Sequence, residues 1–338
     1  MAKGLGTATT AQPLLQMAAD FYRWRTVLFA VELDLFTVLS AAPATEHEVR
    51  ARFALDERGA RHFLDALVEV DLLTRDGDKY TTTPLSTEFM DRGKSSYLGK
   101  FLNLADDRWA RLGQGLRTGE PQNGARNVSS MFTEQHRDLA AWRAYYGGMD
   151  ALNGPSGAAL AHAFDWSGVK RVTDVGGARG NVSAHLVTAH PHLRATVFDL
   201  PSVREVFTEH IDGLGLTGQV TFRGGDFFTD PLPESDVVVF GHVLHDWGVP
   251  ERKVLARKAF EAVAPGGHAL VYDTMINSDR PDNANTLLVS LNMMLCTPGG
   301  SEYRPAEGAA WFTEAGFEEV SWSPLINDDT LLVARKAD

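Results

Sequence analysis

The sequence predicts an α/β protein in two parts: a helical N-terminal third of winged-helix type, then a Rossmann-like, doubly wound parallel sheet. Three observations carry that prediction. From Val169 onward, short apolar runs ("RVTDVG", "RATVFDL", "QVTFRGGD", "DVVVFGH", "HALVYDT") alternate with helical stretches, the pattern of a parallel sheet with helices on both faces. A glycine-rich turn, "DVGGARG", closes the first of these runs and opens a helix, as a ligand-cradling loop does. The first third instead shows helical spacing of apolar residues followed by one hairpin signal.

Taken in order, residues 1–12 are read as a flexible N-terminus without a signal-peptide core. "LLQMAADFYRWRTVLFAVELDLFTVLS" is predicted helical, with Leu28, Val31, Leu35 and Val38 on one face. Thr45 and Glu48 have capping-box spacing, so a short helix starts there. "DERGARHFLDALVEVDLL" is a further amphipathic helix, and "LTRDGDKYTTTP" a hairpin with Asp76-Gly77 at its turn. Three helices and a hairpin make a winged-helix unit, expected over 13–110. DNA reading by its third helix is disfavoured, because Asp56, Glu57, Asp65, Glu69 and Asp71 outnumber Arg58 and Arg61. The unit is read as a dimerisation platform, since Phe21, Trp24, Phe29 and Phe36 call for apolar cover from a second chain. Residues 117–130 read as a surface loop, and helix is expected from about Met131 to Phe164 with a break at "NGPSG". Residues 111–165 are therefore taken as a helical connector and pocket region, and 166–338 as the ligand-binding domain, with "TLLVARK" as its last strand.

Bulk properties narrow the class. A formal net charge of −12 over 338 residues repels phosphate backbones, so no nucleic-acid partner is expected. One cysteine, Cys296, builds no disulfide framework. Without an apolar run of membrane-spanning length, no membrane partner is expected and the chain is placed in the cytoplasm.

The loop from Asp174 to Gly180 almost spells a dinucleotide fingerprint, but Val175 stands where its first glycine belongs, which argues against a nicotinamide dehydrogenase. Asp174 at the strand end would repel a pyrophosphate and tolerate a cation. Asp199, followed by Leu200 in "FDLP", lies where an acid grips ribose hydroxyls. Asp226 suits an adenine amino group and Phe227 the ring face. With Gly176, Gly177 and Gly180, these residues form the expected cofactor site, and a phosphate-free nucleoside with an ammonium and a sulfonium, S-adenosylmethionine, fits them.

"GHVLHDW" follows the fourth strand. His245, beyond a strand's carboxyl end, is the candidate base that deprotonates an acceptor hydroxyl. Asp273 and Glu302 are the candidate carboxylates to orient it. Phe132, Trp142, Met149, His242, Asn292 and Met293 are candidate walls of an acceptor pocket. No resident metal is expected, although the HxxHD spacing leaves a metal-assisted alternative open.

These motifs together resemble the plant-type and bacterial small-molecule O-methyltransferases, the group of caffeate, acetylserotonin and polyketide O-methyltransferases. The similarity runs from about Leu14 to Arg335. It is carried by "AVELDLF", "LDALVEVDLLTRDGDKYTTTP", "DVGGARG", "FDLP", "GGDFF", "GHVLHDW", "APGGHALVYD", "SLNMML" and "PGGSEYR", and the bacterial branch is the nearer match. The resemblance implies a homodimer with a helical dimerisation domain and a class I methyltransferase domain. It implies cofactor contacts from Gly176, Asp199, Asp226 and Phe227. It also implies His245 as base, with Asp273 and Glu302 where the family has its two acids. The chain departs from the plant pattern at Gly241, where a lysine is usual, at His242, where an aromatic is usual, and at Asp273, one methylene shorter than glutamate. The expected reaction is methylation of a hydroxyl on a small aromatic or polyketide-like acceptor. Metal-assisted C-methylation of a 2-oxo acid and a cofactor-sensing DNA-binding regulator stand as alternatives.

Overall fold

A computed structural model describes residues 10–94, 96–122, 139–277 and 283–338. They divide into two compact units: the chain up to Asp107 with Arg143–Ala151, and the remainder from Arg108 onward.

In the first unit, α1 (Gln12–Glu32) and α2 (Leu35–Ala41) are two helices rather than one, broken where Asp34 takes a left-handed φ of 60°. β1 (Ala44–Thr45) leads into α3 (Glu46–Phe53), and Thr45 and Glu48 make the reciprocal capping box that their spacing predicts. α4 (Glu57–Glu69) is capped by Asp56, whose side chain accepts from the Arg58 N–H. The hairpin β2 (Leu73–Asp76) and β3 (Lys79–Thr82) turns on Gly77 and Asp78, one residue later than expected. Gly77 has the positive φ that the first central residue of such a turn needs. α5 (Pro84–Met90) and α6 (Gly99–Trp109) follow. Leu28, Val31 and Leu35 are buried as the periodicity predicts, and Val38 is half-buried. Phe36 corrects the expectation. It is 0% exposed within the unit's own core beside Leu39, Leu64 and Tyr80, so it needs no partner chain. Phe21, Trp24 and Phe29 are exposed, and Leu14, Leu15, Met17 and Tyr22 extend the apolar surface of α1.

The second unit holds α7 (Leu112–Thr118) and a seven-stranded sheet ordered β6-β5-β4-β7-β8-β10-β9. Its strands are β4 (Arg171–Val175), β5 (Arg194–Asp199), β6 (Val220–Gly224), β7 (Ser235–Gly241), β8 (Val263–Asp273), β9 (Glu319–Pro324) and β10 (Thr330–Arg335). The first five pair in parallel; β10 and β9 add on antiparallel, so the sheet is mixed at one edge. α8 (Leu139–Ala163) crosses between the units in sequence. Then come α9 (Asn181–Ala189), α10 (Arg204–Gly213), α11 (Val249–Ala262), α12 (Ala284–Cys296) and α13 (Pro305–Ala315). Strand side chains alternate between two cores: Val238, Phe240 and Val271 face one helical layer, while Val237, Val239 and Leu270 face the other. Each fully buried side chain of this kind contributes roughly 1.5–3 kcal/mol.

The break expected at "NGPSG" is absent, since α8 runs through with Pro155 inside it. Proline removes one backbone donor, but tertiary packing holds the turn. A Cβ on Gly157 would meet the His185 side chain at 3.2 Å, and Ser156 Oγ bonds the Asp329 carboxylate at 2.5 Å. Among the described residues no helix is long and apolar enough to cross a membrane.

Candidate active site

The strand order reverses between β5-β4 on one side and β7-β8 on the other. That makes the carboxyl end of β4 and β7 the switch point where open α/β sheets bind ligands. Gly176 turns here with φ 71°, its N–H donating to the Phe198 carbonyl. A Cβ on it would come within 2.9 Å of Val243, beyond β7, and 3.9 Å of the Phe227 ring. Only glycine leaves this cleft open.

Asp199 ends β5 half-buried. Its carboxylate accepts from the Ala178 N–H at 2.9 Å and from the Leu200 N–H at 2.7 Å, so it ties the glycine loop to the neighbouring strand. Burial pushes it up to about 6, against those two hydrogen bonds. Asp174 stands differently from the sequence expectation. It is 2% exposed beneath the loop, accepts from Ser183 Oγ at 2.8 Å, and fills the space under Gly177. Burial raises it too, to about 6. It props the loop from below rather than lining the open crevice. Gly180, with φ 82°, packs against Phe207 and Ile211 of α10, and its neighbourhood is likewise interior. Asp226 caps its own turn by accepting from the Phe228 N–H. Phe227 stands edge-on to Trp247, ring centroids 5.6 Å apart.

Across the switch point, "GHVLHDW" makes a tight turn. A Cβ on Gly241 would overlap the Tyr272 hydroxyl, which explains glycine there. His242 takes φ 52°, the left-handed region that non-glycine residues rarely occupy. His245 is buried, and its Nδ1 bonds Glu302 Oε1 at 2.7 Å. Asp273 Oδ1 lies 3.9 Å from the same nitrogen, while its other oxygen accepts from Tyr303 Oη at 2.7 Å. With a carboxylate accepting at Nδ1, that nitrogen carries the proton and Nε2 is left for a substrate. Asp273 Oδ1 and Glu302 Oε2 are buried and have no hydrogen-bond partner among the described residues. Burial alone would lower the proton affinity of His245. The charges of Glu302 and Asp273, the Glu302 hydrogen bond and the charge of Asp246 outweigh it and hold the imidazole well above its ordinary value.

Glu302 reaches the turn because Gly299 and Gly300 let its segment lie flat on the His245 backbone. A Cβ on Gly300 would sit 2.9 Å from the carbonyl oxygens of His245 and Asp246. The Ser301 N–H donates to the His245 carbonyl, and the Glu302 N–H to Ser290 Oγ of α12.

The expected pocket residues divide. His242 is beside the base, ring centroids 5.5 Å apart, with its Nε2 3.2 Å from Asp329 Oδ2. Asp329 also accepts from Ser156 and Thr274. Asn292 is half-buried on α12 and accepts from Trp109 Nε1 at 3.3 Å; Met293 is its half-buried neighbour. Met149 belongs to the part of α8 that groups with the first unit. Phe132 lies outside the described residues, as does the side chain of Trp142. Ligating atoms of His242, His245 and Asp273 lie within 4.8 Å of one another. His242 bonds Asp329, His245 bonds Glu302 and Asp273 bonds Tyr303, each through one atom. Sequence reasoning missed Asp329, Tyr303 and Ser290, which only the tertiary fold brings here.

The donor set fits S-adenosylmethionine. A glycine cleft that a Cβ would close, a carboxylate at the end of β5 and an aromatic edge beyond β6 suit a nucleoside with a cationic tail.

Sequence comparison matches an O-methyltransferase domain over residues 109–318 and an O-methyltransferase dimerisation domain over residues 15–92. The chain is 47% identical, over 96% of both chains, to the tetracenomycin polyketide synthesis 8-O-methyl transferase TcmO of Streptomyces glaucescens. It is 38% identical, over 98% of both, to the N,N-dimethyltransferase OxyT of Streptomyces rimosus. Among solved structures, human N-acetylserotonin methyltransferase in complex with its cofactor superposes with a TM-score of 0.82 at 28% identity, covering 99% of this chain and 100% of that one.

Proposed function

We propose the reaction of this chain from one premise: it belongs to the O-methyltransferase family, and its cofactor is S-adenosylmethionine. It is a methyltransferase whose acceptor oxygen sits on a small aromatic or polyketide-like molecule, with His245 as the base. When bound, the cofactor supplies an electrophilic methyl group on its sulfonium. Gly176, Asp199, Asp226 and Phe227 would hold it.

The observation that carries the reading is the buried His245–Glu302 pair. Glu302 fixes the imidazole and, with Asp273, raises its proton affinity. A phenol loses its proton near pH 10, far from an ordinary imidazole. A base raised toward the acceptor makes that transfer less uphill. Glu302 and Asp273 then stabilise the imidazolium that forms. The cost is that the resting imidazole holds its proton to higher pH, so activity should rise with pH through the raised value.

A second reading, transfer to nitrogen, has specific support in the 38% identity to an N,N-dimethyltransferase. The homodimer also belongs to this proposal. It is supported by the family's dimerisation domain and by the exposed Leu14, Phe21 and Tyr22 of α1.

The test is incubation with deuteromethyl-labelled cofactor and a panel of phenols, hydroxynaphthoates, aromatic polyketides, aryl amines and 2-oxo acids, products being located by mass spectrometry and NMR. Label on a phenolic oxygen supports the proposal. Label confined to nitrogen or carbon overturns it.

A further inference from the structure

We infer that Arg252 is a positioning residue and a buried counter-charge for the His245–Glu302 pair; the inference rests on His245 acting as the base. Arg252 projects from α11 and is 2% exposed. Its Nε donates to the Leu244 carbonyl at 2.8 Å, and its Nη2 donates to the Ser301 carbonyl at 2.6 Å and to Ser301 Oγ at 3.3 Å. Leu244 immediately precedes His245, and Ser301 immediately precedes Glu302. One planar, rigid group therefore holds the residue before the imidazole and the residue before its carboxylate, two segments far apart in sequence. The guanidinium also lies over the rings of Tyr303, 4.7 Å from its centroid, and Trp311, at 5.2 Å. Tyr303 in turn donates to Asp273. His245, Glu302 and Asp273 are thus each held by this side chain through one neighbour.

A structural clamp alone would not need a charge. Burying a cation is costly unless something compensates it, and among the described residues no carboxylate makes an ion pair with Arg252. Burial is the largest influence and lowers the proton affinity of Arg252, and the charges of Asp273, Glu302 and Glu307 work against it. The reciprocal effect falls on the cluster. Around His245 stand Glu302, Asp273 and Asp246 as acids, His242 as a second imidazole, and Arg252 as the buried cation. Without that cation every protonation step of the cluster becomes easier, and its apparent pKa values rise.

The experiment compares the pH dependence of kcat/KM in the wild type, Arg252→Gln and Arg252→Lys, with melting temperatures recorded alongside. Glutamine keeps an amide donor for the carbonyls and loses the charge; lysine keeps the charge and loses the fork. The acid limb of Arg252→Gln should move up by about one pH unit, that of Arg252→Lys should stay, and kcat should fall in both. A folded Arg252→Gln protein with its limb at the wild-type position overturns the inference. Should Arg252→Gln not fold, the double variant Arg252→Gln/Glu302→Gln loses a cation and an anion together. Its limb should stand above that of Glu302→Gln alone, and coincidence of the two overturns the inference. Failure of the underlying reading looks different: the wild type would show no acid limb, or His245→Ala would keep parental turnover.

Discussion

His245 has two carboxylates within reach and one hydrogen bond, and that asymmetry decides how it behaves. Glu302 makes the bond, Asp273 supplies charge from 3.9 Å, and each keeps one buried oxygen without a hydrogen-bond partner among the described residues. A buried acceptor left unpaired costs about 1–3 kcal/mol, and a positive imidazolium offsets that cost best. Removing the base, His245→Ala, should lower kcat by about 10²–10⁴-fold while calorimetry shows unchanged cofactor affinity; parental turnover would contradict the assignment. Glu302→Gln keeps an acceptor at Nδ1 but removes the largest influence raising the imidazole, so the acid limb should shift to lower pH. Asp199 gives a different signal. Its folded value, about 6, stands above the unfolded one of about 3.9. The protonated form is therefore favoured in the fold, and the carboxylate reduces stability as pH rises through that window. A cationic ligand drawn to Asp199 pulls its value back down. Cofactor binding should then release protons below about pH 6 and weaken as pH falls, measurable by calorimetry in buffers of different ionisation heat.

Short elements, not long ones, hold the chemistry. The segment Gly299 to Glu302 can lie on the His245 turn only because Gly300 has no side chain. Gly300→Ala should destabilise the protein by about 1–3 kcal/mol and lower kcat more than it changes cofactor affinity, read from a melt and steady-state kinetics. The strands of the parallel sheet were legible because buried β-branched runs bounded by glycine admit few other readings. β9 was not, since Glu319, Ser321, Ser323 and Pro324 give an exposed edge strand no apolar signature. The α8 break was misread for the converse reason: "NGPSG" is a local loop signal, and the packing of Gly157 and the Ser156–Asp329 bond override it. His245 and Glu302 were visible as residue types at the ends of elements. Asp329 was not, because an aspartate in "NDDT" reads as a turn until the fold sets it against His242.

At the scale of the molecule, an acidic chain of net charge −12 carries a large apolar stripe on α1, most of it within the segment matched by the family's dimerisation domain. Phe36 lies in the unit's interior, so the stripe rests on Leu14, Leu15, Met17, Phe21 and Tyr22. Phe21→Asp should convert a dimer to a monomer in sedimentation analysis, and an unchanged mass would move the interface elsewhere. Proton removal by His245 calls for no metal, so activity should survive treatment with chelators; loss of turnover restored by a metal would revive the metal-assisted alternative at His242, His245 and Asp273. The central claim, a carboxylate-raised imidazole that deprotonates a phenolic acceptor, is tested most directly by the pH profile of kcat/KM for wild type and Glu302→Gln on one methylated phenol. The account predicts a wild-type acid limb above the ordinary imidazole value of about 6.5 and a limb displaced to lower pH in the variant. Coincident limbs in the two proteins would contradict it.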